Sequence, residues 1–184
     1  MSKRLVLTRA EIEARVAGLG RRISQDYEKV LPTGEALLAG GVLNGAFIFM
    51  ADLVRALGDL PVEVDFVRLS SYQNSDVSSA KVVMTKTLEK EIRDRHVLVV
   101  EDIADCGLTL AWLLDFLGRR RPASLKVAVA VDKKARREVQ VPLDYVAMEA
   151  EGFLVGYGLD YAEKYRQLPD IYELDTQPGA PPLV

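Results

Sequence analysis

Apolar residues along this chain fall into short runs separated by longer periodic segments. Thr8-Arg9-Ala10-Glu11 has the spacing of a capping box, and Ile12, Val16, Leu19 and Ile23 follow at helical intervals. This predicts a helix to about Tyr27. Pro32-Thr33-Gly34 marks a turn. Leu37 to Leu43 is short and apolar, a strand; Asn44-Gly45 breaks it, and an apolar helix follows from about Ala46 to Leu57. Val62-Glu63-Val64-Asp65-Phe66-Val67 alternates apolar and acidic residues, the pattern of a strand with one wet face.

Ser70 to Ala80 is polar and aperiodic and reads as a mobile loop. Further strands are predicted at Lys81–Thr85, 97–101, 125–131, Tyr145–Met148 and Phe153–Tyr157, with a helix at 109–118. Strands alternating with helices argue for an α/β fold: a parallel sheet with helices on both faces. Ligands in such sheets bind beyond the C-terminal strand ends, where segments 43–45 and 101–109 lie. Residues 1–175 read as one domain, with the aromatic-rich region after 140 forming a smaller subdomain over the site. Residues 176–184 hold three prolines and read as a disordered tail.

The densest chemistry lies in Val97 to Leu110. Four apolar residues lead into Glu101-Asp102-Ile103-Ala104-Asp105-Cys106-Gly107-Leu108-Thr109 and then an apolar helix. A strand that runs through a short loop into a helix offers free N–H groups and a positive dipole end to a phosphate. Adjacent carboxylates repel phosphate, but accept hydrogen bonds from sugar hydroxyls and help hold a divalent cation. Phosphate beside diol suggests a ribose-phosphate ligand.

Composition narrows the class. The chain has 184 residues, 49% hydrophobic and 28% charged, with net charge −3. That balance carries no nucleic-acid signature. The basic runs Arg119–Arg121 and Lys133–Arg137 read mostly as solvated faces. One cysteine, Cys106, excludes an intrachain disulfide and suggests a reducing compartment. No signal peptide and no membrane-spanning run is seen, so a cytoplasmic protein without membrane partners is expected. The lone histidine, His96, reads as structural or exposed. No Gly-Lys-Ser/Thr run exists, which excludes a P-loop NTPase.

Residues 99–109 resemble the phosphoribosyl-pyrophosphate (PRPP) signature of type I phosphoribosyltransferases. Val42-Leu43-Asn44-Gly45-Ala46-Phe47 resembles that family's pyrophosphate loop, and Arg68-Leu69-Ser70-Ser71-Tyr72 the start of its flexible catalytic loop. Val131-Asp132-Lys133 resembles the strand end with a purine-reading lysine. Phe153 to Tyr161, with the later Arg166, resembles the C-terminal purine and metal region of hypoxanthine-guanine phosphoribosyltransferases. The resemblance spans Thr8 to Leu174. It implies a central parallel sheet flanked by helices, a small C-terminal hood, a flexible loop and a homodimer or homotetramer.

The implied reaction joins a 6-oxopurine, hypoxanthine or guanine, to C1 of PRPP through an oxocarbenium-like transition state and releases pyrophosphate, with Mg²⁺. Glu101 and Asp102 hold the ribose hydroxyls and face the metal. Asp105, Cys106, Gly107, Leu108 and Thr109 wrap the 5′-phosphate, and Asp105 is the acid/base at the purine imidazole nitrogen. Asn44, Gly45 and Arg166 take pyrophosphate; Ser71 and Tyr72 lie on the lid. Lys133 donates to the exocyclic oxygen, Phe153 stacks, Leu154 meets the base through its backbone, and Asp160 lies at the purine and binds Mg²⁺ with Glu101 and Asp102. Thr109 can also serve as an ordinary N-cap.

Two residues depart from the family's common form. Asn44 stands where a lysine is frequent, losing a cation beside the leaving group. Cys106 stands where threonine is usual; the reaction needs no thiol, so Cys106 reads as a variant phosphate-loop residue. The family's non-proline cis peptide maps to Leu43–Asn44. Two rivals remain: a PRPP- or nucleotide-binding regulator on the same fold, and a xanthine-preferring enzyme.

Overall fold

The computed structural model describes residues 2–72 and 81–175. Its elements are β1 (Lys3–Leu7), α1 (Arg9–Tyr27), β2 (Leu37–Leu43), α2 (Phe47–Ala56), β3 (Val62–Tyr72), β4 (Lys81–Lys86), β5 (His96–Ala104), α3 (Leu108–Gly118), β6 (Ser124–Asp132), β7 (Tyr145–Glu149), β8 (Leu154–Val155) and β9 (Ile171–Leu174). The capping box forms as expected. The Glu11 N–H donates to the Thr8 hydroxyl at 3.3 Å, and the Thr8 N–H donates to the Glu11 carboxylate at 2.8 Å. The stripe Ile12, Val16, Leu19 and Ile23 is buried. Gly20 lets α1 and α2 touch, since a Cβ there would lie 2.4 Å from the Ala56 carbonyl oxygen.

Six strands form the main sheet in the order β4-β3-β2-β5-β6-β7. All neighbours are parallel except β4, which runs antiparallel to β3 at one edge. One core cluster joins the sheet to α1 and α2, and a second joins it to α3, Leu88 and Ile92. The helices therefore cover both faces, as the alternating pattern requires.

Three expectations change. The smaller subdomain is not purely C-terminal: β1, β9 and β8 form an antiparallel sheet, with Lys3 paired to Leu174. The segment expected to be a strand over Phe153–Tyr157 pairs regularly only at Leu154–Val155, because residues 156–159 turn back in a tight bridge between Gly156 and Leu159. The wet face of β3 is inverted. Asp65 is 7% exposed and Val64 39%. Residues 86–95 cover the acidic face: Glu63 pairs with Lys90 and Arg95, and Asp65 accepts from the backbone of Glu89 and Lys90. Segments 73–80 and 176–184, the latter with the expected tail, lie outside the described residues.

Candidate functional site

β2 and β5 are parallel neighbours, so their C-terminal ends deliver segments 43–45 and 101–107 to one edge. The Leu43–Asn44 peptide is cis. A Cβ on Gly45 would sit 1.7 Å from the Asp102 carboxylate, so the acid lies directly over the glycine backbone. Gly158, at φ 96°, presses from the other side; a Cβ there would lie 2.3 Å from the Gly45 carbonyl oxygen. Between these segments opens a cleft of about 360 Å³. Gly45, Glu101, Asp102, Asp105, Cys106, Gly107, Thr109, Asp160 and Arg166 line it, with Val42, Leu43, Leu69, Ile103, Ala104 and Leu110 as apolar walls.

Glu101 and Asp102 are not a solvated strand end. They still belong to β5, and Glu101 is buried. Burial, and then the neighbouring Asp102 charge, push the Glu101 carboxyl well above its ordinary range. Burial also raises Asp102, although the Ile103 N–H and Arg166 pull the other way.

Arg166 donates through Nη1 to the Gly158 carbonyl at 2.9 Å and pairs through Nη2 with Asp160 at 2.9 Å. Its Nε is buried with no partner among the described residues. Asp160 also accepts from the Glu163 N–H at 2.8 Å. Asp105 pairs through Oδ2 with Arg136 at 3.0 Å, while its Oδ1 is buried and unpartnered among the described residues. Two unsatisfied polar atoms on cleft-lining residues are what a site made for a polar ligand presents. No group of three or more metal-ligating His, Cys, Asp or Glu side chains converges among the described residues.

Gly107, at φ 90°, occupies the N-cap of α3, and no side chain caps the helix. The N-cap option for Thr109 is thus corrected: Thr109 lies inside the first turn. Leu108, the first helical residue, is 44% exposed and does not line the cleft. Asn44 adjoins the cleft through its neighbours Leu43 and Gly45 and is not itself a lining residue.

Of the residues expected at the purine, Asp160 lines the cleft, whereas Lys133, Phe153 and Leu154 lie off it. Lys133 is 4% exposed, and its N–H donates to the Ala104 carbonyl at 3.0 Å. Burial pulls the Lys133 ammonium below its ordinary range, with Asp105 opposing that shift. Phe153 sets its ring against the edge of Tyr161 at 5.5 Å and lines a separate cavity of about 440 Å³ with Arg4 and Glu173. Leu154 is buried on β8. Ser71 and Tyr72 end β3 through their backbone, and the segment after them is outside the described residues. Residues 133–137 are only partly the solvated run that their charges suggest, because Lys133 is buried and Arg137 is half-buried. Arg136 and Arg137 were missed because a basic run does not show which of its cations find partners in the fold: Arg136 is exposed yet pairs with Asp105, and Arg137 pairs with Asp132.

A sheet-edge cleft joining a carboxylate pair to a free helix N-terminus matches a known class. A family model described as the phosphoribosyl transferase domain matches residues 8–162, and the chain belongs to that family. Hypoxanthine phosphoribosyltransferase of Salmonella typhimurium is 43% identical over 90% of this chain and 91% of its own length. Hypoxanthine-guanine phosphoribosyltransferase of Mycobacterium avium is 45% identical over 95% and 87%. Among solved structures, Trypanosoma cruzi hypoxanthine phosphoribosyltransferase in complex with its product IMP superposes with a TM-score of 0.86 at 42% identity, covering 92% of each chain. These relatives are named for hypoxanthine, or for hypoxanthine and guanine.

Proposed function

We propose that this protein moves the 5-phosphoribosyl group of PRPP to N9 of hypoxanthine, and of guanine, forming IMP or GMP and releasing pyrophosphate. One observation carries the reading: the Glu101–Asp102 pair and the uncapped N-terminus of α3 face a single cleft. Few ligands want a diol acceptor and an anion nest side by side; a ribose phosphate does.

In this reading the N–H groups of residues 105–109 and the Thr109 hydroxyl hold the 5′-phosphate. Glu101 and Asp102 accept from the ribose hydroxyls. Asp105 uses its free Oδ1 toward the purine imidazole nitrogen, taking or giving the proton there. Lys133 donates to the 6-oxo group and disfavours a 6-amino group. Phe153 stacks on the base, which requires its ring to reach the cleft when a base is present. Asn44, Gly45 and the free Nε of Arg166 serve the pyrophosphate. Ser71 and Tyr72 open the lid that keeps water from the cation-like sugar.

Mg²⁺ suits this all-oxygen donor set. No three ligating side chains converge among the described residues, so Asp160 and the Glu101–Asp102 pair would hold the ion only together with substrate oxygens. When bound, it neutralises charge on the leaving pyrophosphate. The cytoplasm is the compartment proposed; no helix among the described residues is long and apolar enough to cross a membrane. A homodimer or homotetramer is proposed with it, for which the 45% exposed Phe47 at the start of α2 supplies apolar surface.

The test is pyrophosphate release with PRPP, Mg²⁺ and each of hypoxanthine, guanine, xanthine and adenine. Turnover with the first two supports the reading. Turnover with xanthine alone moves the substrate, and none with any base leaves a binding regulator. Lys133→Ala is expected to erode the preference for 6-oxopurines.

A further inference from the structure

We infer that Arg137 is a positioning residue for the phosphate loop, working through that loop's carbonyls; this rests on the function proposed above. The carbonyls of three consecutive residues turn to the segment that follows β6. The Ala104 oxygen accepts from Lys133 N at 3.0 Å and from Arg137 Nη2 at 3.0 Å. The Asp105 oxygen accepts from Arg137 Nε at 2.9 Å. The Cys106 oxygen accepts from Glu138 N at 2.9 Å and Val139 N at 3.0 Å.

A peptide's carbonyl and the N–H that follows it point in opposite directions when the bond is trans, as these bonds are. Turning three carbonyls toward residues 133–139 therefore turns the N–H groups of Asp105, Cys106 and Gly107 toward the cleft. None of these three N–H groups has an acceptor among the described residues. They form a nest for an anion, and the outward carbonyls are what orient it.

Arg137 is suited to the task because its planar fork can satisfy three acceptors at once. Besides the two carbonyls it pairs with Asp132 at 2.5 Å, each side chain 9% exposed, so its charge is neutralised inside the fold. It also packs beneath the loop: a Cβ on Gly107 would lie 3.1 Å from Arg137 Cδ and 2.3 Å from the Val139 carbonyl oxygen. Arg137 itself does not line the cleft. Its effect on ligand must pass through the loop, and must fall on the phosphate-bearing substrate.

Arg137→Lys and Arg137→Ala test this in the full-length protein. Lysine keeps the charge facing Asp132 but cannot span both carbonyls. The KM for PRPP is expected to rise about tenfold or more, while the KM for hypoxanthine stays within about threefold. Affinity for ribose 5-phosphate, measured by titration calorimetry, should weaken in parallel, more for alanine than for lysine. Should the alanine variant not fold, the lysine variant decides alone. An unchanged PRPP KM and ribose 5-phosphate affinity overturns the inference, as does an equal rise in both substrates' KM or a loss confined to kcat. A wild-type protein without turnover on any purine would refute the function, yet the ribose 5-phosphate titration would still decide the role of Arg137.

Discussion

Asp65 on β3 and Glu101 on β5, with Asp102 half-buried beside it, are carboxylates set in strands of one sheet, and their surroundings treat them in opposite ways. Asp65 is surrounded by donors: Phe66 N at 2.7 Å, Glu89 N at 2.7 Å, Lys90 N at 3.0 Å and Lys86 Nζ at 3.5 Å. Burial pushes its carboxyl up, but these donors outweigh burial and the net shift is down. Among the described residues Glu101 accepts only from the adjacent Asp102 N–H at 3.2 Å, and burial leaves it raised. A buried acid that the fold has satisfied is an anchor. A buried acid that the fold leaves short of donors is held for something that arrives later.

Substitutions should separate the two. Asp102→Asn removes the charge at the cleft and is expected to lower turnover by about a hundredfold or more, with a melting temperature no lower than wild type. A drop in stability comparable to the lost activity would erase the distinction. Asp65→Ala orphans the Glu89 and Lys90 N–H groups, so stability should fall by about 2–4 kcal/mol while kcat stays within about threefold in the cold. Urea denaturation and initial rates on the same samples read both quantities.

The pH dependence sharpens the contrast. Asp65, lowered from its ordinary 3.8, contributes stability that is present above 3.8 and is lost as pH falls through its folded value. Glu101, raised above its ordinary 4.5, favours the fold fully below 4.5, and that advantage fades as pH rises toward its folded value. The gap between wild type and Asp65→Asn should therefore close in acid. Glu101→Gln should gain on wild type from acid to neutral pH. Denaturant midpoints over that range decide, and parallel curves would contradict the pair of assignments.

The smallest effect concerns Cys106. Cys106→Thr should leave turnover within about threefold and hold or improve PRPP binding, because a hydroxyl is the better donor. A collapse in kcat would make the thiol a participant and give the cleft a chemistry its carboxylates do not share.

Patterns carried by neighbours in the chain were legible beforehand. The Thr8 capping box and the stripe from Ile12 to Ile23 depend on residues a turn apart, so α1 begins and ends as expected. β2 spans Leu37–Leu43 as its apolar run implies. The candidate cleft was also legible in outline, because Gly45, Glu101, Asp102, Asp105, Asp160 and Arg166 converge on it. β1 and β9 were not, because each is short and its partner lies at the far end of the chain, as the register of Lys3 with Leu174 shows. The face of β3 was misjudged although its period was right. Alternation gives which residues share a face; only the segment 86–95 laid across that face decides which one is dry.

The same division runs through the site. The chain's order alone determined that an acidic strand end would enter a glycine loop and a helix, since those are consecutive residues obeying local propensity and capping. It could not determine which acids would be satisfied and which left wanting. That depends on donors brought from elsewhere in the chain: residues 86–90 reach Asp65, Arg136 reaches Asp105, Arg137 turns the loop's carbonyls, and no such donor among the described residues reaches Glu101. Hydrogen-bond satisfaction inside a protein is a property of what packs around a group, and packing is decided only when the whole fold closes.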